Sequence, residues 1–132
     1  MAKKPKASTL KNKATIIHSR IIRAPDLCRA REYHDLGLID WHPRCKGAKE
    51  CSHCISRRYA GIRTDLTNAL CLCKSAHFYV GQNPGKHYEL VEMIFGVGHW
   101  EMLYQRANAS TLGPKFDWAA ELERLQAIEK TL

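Results

Sequence analysis

Apolar residues recur at helical spacing near the start of the chain, where Leu10, Ala14, Ile17 and Ile21 share one face among lysines and arginines. This pattern predicts a helix over residues 9–23, and Pro25 ends it because the residue before a proline is pushed out of the helical region. Residues 26–50 show no period and are punctuated by Gly37, Pro43 and Gly47, so they read as irregular. Two short apolar pieces follow, residues 50–55 and 69–73, separated by the basic and polar stretch 56–68. They read as two strands of a hairpin with a long loop. Residues 74–80 begin a short helix that Gly81 and Asn83-Pro84-Gly85 stop.

The remainder is helical in pattern. Leu90, Val91, Met93 and Ile94 belong to one helix, and Trp100, Leu103 and Tyr104 to a second. Beyond Gly113-Pro114, Asp117 is placed to cap a final helix with Trp118, Leu122, Leu125, Ile128 and Leu132 in one stripe. The fold class that follows is α+β, a small two-stranded centre with helices around it. Trp41, Trp100 and Trp118 are expected in its core. There is no internal repeat.

Composition narrows the class. With 132 residues, 45% hydrophobic and 26% charged, the chain suits one folded domain and excludes wholesale disorder. No apolar run approaches the eighteen or so residues of a membrane span. The opening residues hold lysines without an apolar stretch, which is unlike a secretory signal. Net charge is +8, and it is unevenly placed. Residues 1–13 carry five lysines and no acid, residues 14–80 eleven basic side chains against six acidic, and residues 81–132 five against seven. The expected organisation is a flexible basic arm over residues 1–13 and a single domain over 14–132. Its core spans about 26–80 and its C-terminal helices 84–132. A basic surplus fits a polyanionic partner and says nothing of chemistry.

Six cysteines stand at 28, 45, 51, 54, 71 and 73. Without a secretory context, such a cluster points to a metal ion more than to a disulfide scaffold. Thiolates are soft ligands suited to tetrahedral zinc.

The chemistry concentrates between Cys51 and His77. The segment Cys51-Ser52-His53-Cys54-Ile55-Ser56-Arg57-Arg58-Tyr59 is followed by Arg63-Thr64-Asp65, then Asn68-Ala69-Leu70-Cys71-Leu72-Cys73, then His77. His53 falls on the first strand, Asn68 at the entry to the second, and His77 on the helix. A hairpin packed on that helix can bring the two histidines together over one metal ion.

This ordered string resembles the HNH endonucleases, whose fold is the ββα-metal core, and looks much like their small bacteriophage members. The resemblance covers roughly residues 19–95 and includes the Ile21-Ile22-Arg23 ending of the first helix. It implies that His53 is the general base activating the water that attacks a DNA phosphodiester. It implies that Asn68 holds the intervening loop through backbone hydrogen bonds, and that His77 ligates a divalent ion such as Mg, Mn, Ni or Zn. Where many members place an Asp or His before the base, this chain has Ser52, a weaker donor, and Asp65 is the carboxylate that would serve instead. Arg57, Arg58 and Arg63 are expected to contact the DNA backbone, where most protein–DNA hydrogen bonds go.

The family also often carries two Cys-x-x-Cys knuckles around a structural zinc. Here Arg31 and Ala76 occupy the partner positions of Cys28 and Cys73. A zinc held by Cys28, Cys45 and Cys73 is therefore expected, with Cys71, His42 or water fourth. A rival set, Cys51 and Cys54 with Cys71 and Cys73, ranks lower, because alternation along a strand points Cys51 with His53 and Cys54 with Ser52. Loss of the zinc is the third option. Single histidines are more often structural than functional: His87 reads as a surface or capping residue, and His18, His34 and His99 have no assigned role. The expected partners are DNA and, through the phage resemblance, terminase subunits, in the cytoplasm of a bacterial host rather than outside it. Two other classes stay open, a degenerate DNA-binding module without cleavage and an adaptor for an acidic protein.

Overall fold

The computed structural model describes residues 3–113 and 115–132. Helix α1, Ala7–Arg23, buries Ala14 and Ile17, so the apolar stripe lies where its spacing places it. The helix starts at Ala7, so Lys11 and Lys13 lie on it. The stretch expected to be irregular contains a two-turn helix, α2, Arg29–Asp35. Its residues are nearly all polar and only Ala30 is buried, so it carries no apolar period to read. It is held instead by Arg29–Glu32 and Arg31–Asp35 pairs one turn apart.

Strands β1, Lys49–His53, and β2, Ala69–Cys73, form a two-stranded antiparallel hairpin in which Cys51 faces Cys71, Ser52 faces Leu70 and His53 faces Ala69. The long connection between them carries a single-turn helix, α3, Ala60–Arg63. Helix α4, Lys74–Gln82, follows β2 directly, with the Cys73 sulfur capping it by accepting from the Ala76 N–H. Helices α5, Pro84–Phe95, α6, His99–Ala109, and α7, Trp118–Glu129, complete the chain. Asp117 caps α7 by accepting from the Ala120 N–H.

Two apolar clusters hold these elements. The larger sets Leu70, Leu72, Val80, Leu90, Val91 and Leu103 together, with Trp41 stacked on Tyr79 at 4.4 Å. The smaller joins α1 to α7 through Ala14, Ile17, Trp118 and Leu125. Trp41 and Trp118 are buried, and Trp100 packs against the larger cluster. The stripe on α7 differs from its expectation at two points. Leu132 lies beyond the helix and is exposed, while Glu121 takes a buried position. That carboxylate accepts from Thr64 Oγ1 and from Arg124, which satisfies it against the burial cost. Burial works to raise its pKa, but these hydrogen bonds hold it below the usual range. Among the described residues no helix is long and apolar enough to cross a membrane.

His87 has a measurable consequence for stability. Its ring is mostly buried at an edge-on contact with Trp100, its Nε2 has no hydrogen-bond partner, and burial, helped by nearby His77, pushes its pKa down to about 4. An unfolded histidine titrates near 6.5. Between those values the unfolded chain binds the proton that the folded chain refuses, so this stability is full above pH ~6.5 and is lost as pH falls toward 4. A His87→Phe variant is expected to lose less of its melting temperature between pH 7 and 4.5 than the parent, by about 5 °C. Thermal melts followed by circular dichroism at both pH values measure this, and equal losses in the two proteins count against it.

Candidate functional site

Each strand of the two-stranded hairpin has an outer edge without a strand neighbour, and the site lies against that of β1. A cleft of about 660 Å³ runs along this edge, lined from α1 by Thr15, Ser19 and Arg23, from β1 by Lys49, Glu50, Cys51 and His53, and from α4 by His77. Arg57, at the start of the long connection, closes one side. Alternation along β1 sends Cys51 and His53 to the face covered by α1, and Glu50 and Ser52 to the face covered by α4. The two predicted histidines thus line one cleft from opposite faces of the strand.

His53 is oriented by the loop. Its Nε2 lies 3.0 Å from the carbonyl oxygen of Arg63. A carbonyl only accepts, so Nε2 carries the hydrogen and Nδ1 keeps its lone pair. Burial pushes the ring's pKa down to about 4, so it is neutral at neutral pH. The loop is fixed by Asn68, which is fully buried. Its Oδ1 accepts from the Ile55 N–H at 2.9 Å, and its Nδ2 donates to the carbonyls of Ile55 at 3.1 Å and Ile62 at 3.0 Å.

On the other wall, His77 Nδ1 lies 3.0 Å from Glu50 Oε1. This pairing differs from the expectation of His53 and His77 over a single ion. Among the described residues, neither group of three close metal-ligand side chains includes His77. The other expected donors are also placed elsewhere. Asp65 is absent from the cleft lining: its carboxylate accepts from Thr67 N–H and Oγ1, both at 2.8 Å, and pairs with Arg106 at 2.7 Å. Ser52 is buried opposite Leu70, with its hydroxyl lacking a partner, and it too lies off the cleft lining. Glu50 is the acid the sequence reading passed over. Its signal was available, since it is the only carboxylate within β1 and sits two residues before Ser52, on the same face.

The three arginines diverge. Arg57 is exposed on the cleft. Arg58 is exposed but folds over the ring of Tyr59, 4.9 Å from its centroid, and donates to that hydroxyl. Arg63 is a strut, donating to Thr15 Oγ1 on α1 and to the Arg57 carbonyl, both at 2.9 Å. Arg23 and Lys49 add positive charge to the cleft that the sequence reading did not assign to it.

The cysteines fall into distinct places. Cys28, Cys45 and Cys73 lie within 4.8 Å of one another through their sulfurs, from the N-terminal end of α2, the loop before β1 and the junction of β2 with α4. Sulfurs around tetrahedral zinc stand about 3.8 Å apart, so one ion fits the group after a small contraction. Burial opposes ionisation of Cys73. Even so, hydrogen bonds from Ser75 Oγ and the Ala76 N–H bring its thiol down to about 7, while burial and its two neighbours push Cys45 up to about 12. The group readily takes one negative charge and resists the next until a cation offsets it. His42 accepts from the Arg44 N–H at 2.9 Å, and Cys71 lies deep on β2; neither belongs to the three-sulfur group. Cys54 is buried, its thiol pushed up to about 12, and it joins no group, so the rival four-cysteine set is not assembled among the described residues.

The residue without an expected role that proves most engaged is His18. It is fully buried on α1, its Nε2 lies 3.0 Å from the Asp65 carbonyl, and its ring centroid is 5.3 Å from that of His53. Nothing in its helical position distinguishes it from a core residue, and only the packing of α1 on the hairpin brings it here. No known protein family, curated protein or solved structure matches this chain, so its residues alone carry the functional argument.

Proposed function

We propose that this chain is a metal-dependent endonuclease of the HNH type that hydrolyses DNA phosphodiester bonds, with His53 as general base. One observation carries the reading. His53 lines a basic cleft whose other wall bears His77 and Glu50, and it donates Nε2–H to the Arg63 carbonyl, which leaves Nδ1 unprotonated. In the reaction, Nδ1 takes a proton from water as the water oxygen bonds to phosphorus and the bond to the leaving oxygen breaks. Arg57, with Arg23 and Lys49, holds the flanking phosphates, and Arg63 supports the loop. An imidazole and a carboxylate on one wall suit a divalent cation, so His77 and Glu50 are the residues that would hold it, in place of Asp65 and Ser52. Bound there, the ion supplies charge neutralisation at the phosphate and the leaving oxygen. Cys28, Cys45 and Cys73 are assigned to a structural zinc that ties α2, the loop before β1 and α4 together. The phage origin and a terminase partner extend this proposal from the family resemblance.

The test is nicking of supercoiled plasmid with Mg, Mn, Ni or Zn. Nicking is expected with at least one ion and none in chelator, and His77→Ala and Glu50→Gln each lower it by about 10- to 100-fold at limiting metal. Nicking that survives chelation counts against the mechanism. A second reading, a DNA-binding module without cleavage, is favoured by the burial of Ser52 opposite Leu70 where the family places a metal ligand. Salt-sensitive DNA binding with no nicking under any ion supports that module. Absence of DNA affinity at low salt points instead to the adaptor.

A further inference from the structure

The α1 side of the cleft holds a group of ligand atoms that the nuclease reading uses only in part. His18, Cys51 and His53 each offer one atom, and all three lie within 4.8 Å of one another. Cys51 and His53 line the cleft, while His18 is fully buried and is not part of that lining. We propose that these three side chains form a second metal site, a two-histidine, one-thiolate centre for Zn2+ or a similarly thiophilic divalent ion, and that filling it shuts the nuclease off.

The hydrogen bonds prepare the ligands. His18 Nε2 lies 3.0 Å from the Asp65 carbonyl and His53 Nε2 lies 3.0 Å from the Arg63 carbonyl. Both Nε2 atoms therefore carry hydrogen, and both Nδ1 atoms keep lone pairs. A backbone carbonyl behind the far nitrogen is the usual device that sets the tautomer and orientation of a metal-bound histidine. The distance agrees as well. Cys51 Sγ lies 3.9 Å from His18 Nδ1. Zinc–sulfur and zinc–nitrogen bonds of ~2.3 and ~2.05 Å at a tetrahedral angle need about 3.6 Å, a closure of a few tenths of an ångström.

The donor set selects the ion. Two imidazoles and a thiolate favour zinc, copper or cobalt over magnesium, whereas the His77–Glu50 wall suits a harder cation. On binding, the Cys51 S–H bond breaks, its proton leaves to solvent and a sulfur–metal bond forms, with no change of oxidation state. Three protein ligands leave a fourth position for water or a phosphate oxygen, and the two cleft-lining ligands put it on the solvent side. His53 has a single Nδ1 lone pair. While that pair binds metal it cannot accept a proton from water.

The inhibitory half of this inference rests on His53 being the base, but the metal site does not, and the test separates them. Co2+ is the probe, titrated into full-length protein carrying Cys45→Ser. Cys45 is the exposed member of the three-sulfur group, so this change weakens that group while Cys28 and Cys73 stay buried in place, and circular dichroism checks that the variant is folded. A thiolate-to-cobalt charge-transfer band is expected, and it is expected to disappear when Cys51→Ser is added. Adding His53→Ala instead is expected to weaken cobalt binding by about tenfold or more, and it serves as the second variant if Cys51→Ser perturbs folding. No band in the Cys45→Ser protein, or a band unchanged by both added substitutions, overturns the site. For inhibition, the ratio of Mg2+-supported nicking rates without and with Zn2+ is measured for each protein. About tenfold or more is expected with Cys51 present and under about twofold with Cys51→Ser. Cobalt binding through Cys51 with an unchanged zinc ratio overturns the inhibitory role alone. A protein that nicks with no ion fails the nuclease reading and leaves the cobalt result to decide the site.

Discussion

Replacing His53 by alanine is expected to lower plasmid nicking by about 100- to 10,000-fold, the range that a positioned general base contributes. DNA binding is expected to stay within about twofold, because the proposal assigns the phosphate contacts to Arg57, Arg23 and Lys49, which line the cleft, and not to the imidazole. The reason for so large an effect is geometric. His53 lines the cleft, and its Nε2–H is held by the Arg63 carbonyl, which leaves Nδ1 with its lone pair. The other cleft histidine, His77, is committed to Glu50. Alanine leaves space on the cleft wall, so added imidazole is expected to restore part of the activity. Such rescue separates a lost base from a disturbed fold, since a misfolded site gains nothing from a small base in solution. Nicking that persists near the parent rate in His53→Ala removes the proposed mechanism, whatever ion supports it.

The hairpin, the α4 helix and the three-sulfur group were legible because each is signalled locally. The apolar run Ala69–Cys73 marks β2, β1 overlaps the segment 50–55 read as its partner, and α4 follows Cys73 directly. Cys28 and Cys45 are the cysteines nearest in sequence to the knuckle position that Arg31 occupies, and their sulfurs converge with that of Cys73. What stayed hidden depends on long-range packing. His18 is 33 residues from Cys51 in sequence, and its helical position is that of an ordinary core residue until α1 lies across the hairpin. The alternation of β1 puts Glu50 on the face of Ser52, but only the packing of α4 on the hairpin sets it, rather than Asp65, beside His77. Asp65 itself looked like a ligand because it is a carboxylate in the right loop. Its oxygens are instead taken by the turn at Thr67 and by Arg106, an arginine 41 residues away that no local pattern links to it.

Positive charge follows the same division. The central basic excess was legible as a total, yet its members do different work. Arg57 faces the cleft, Arg58 lies over Tyr59, and Arg63 bridges α1 to the loop. Formal charge counts all three equally, whereas a phosphate is contacted only by a guanidinium with donors left to offer.

Asn68→Ala is expected to produce the largest loss of stability from a single truncation in the loop, about 2–4 kcal/mol, since it orphans the buried N–H and carbonyl of Ile55 and removes one of the bonds to the Ile62 carbonyl. The Ile55 N–H and carbonyl have no solvent to turn to, because Ile55 and Asn68 are themselves buried, whereas the Ile62 carbonyl keeps the Asp65 N–H. In a chain of this size the melting temperature is expected to fall by roughly 6–15 °C, with a matching drop in the urea midpoint. Asn68→Asp is expected to do no better, despite its similar shape. It keeps an acceptor for the Ile55 N–H but sets a carboxylate against two carbonyl oxygens. The effect reaches the cleft through one peptide unit. Ile62, held by Asn68, precedes Arg63, whose carbonyl orients the His53 ring. Nicking by Asn68→Ala, assayed at a temperature where it is still folded, is therefore expected to fall by about tenfold from lost positioning alone. A melting temperature within a few degrees of the parent would show that the loop is held by something other than this amide.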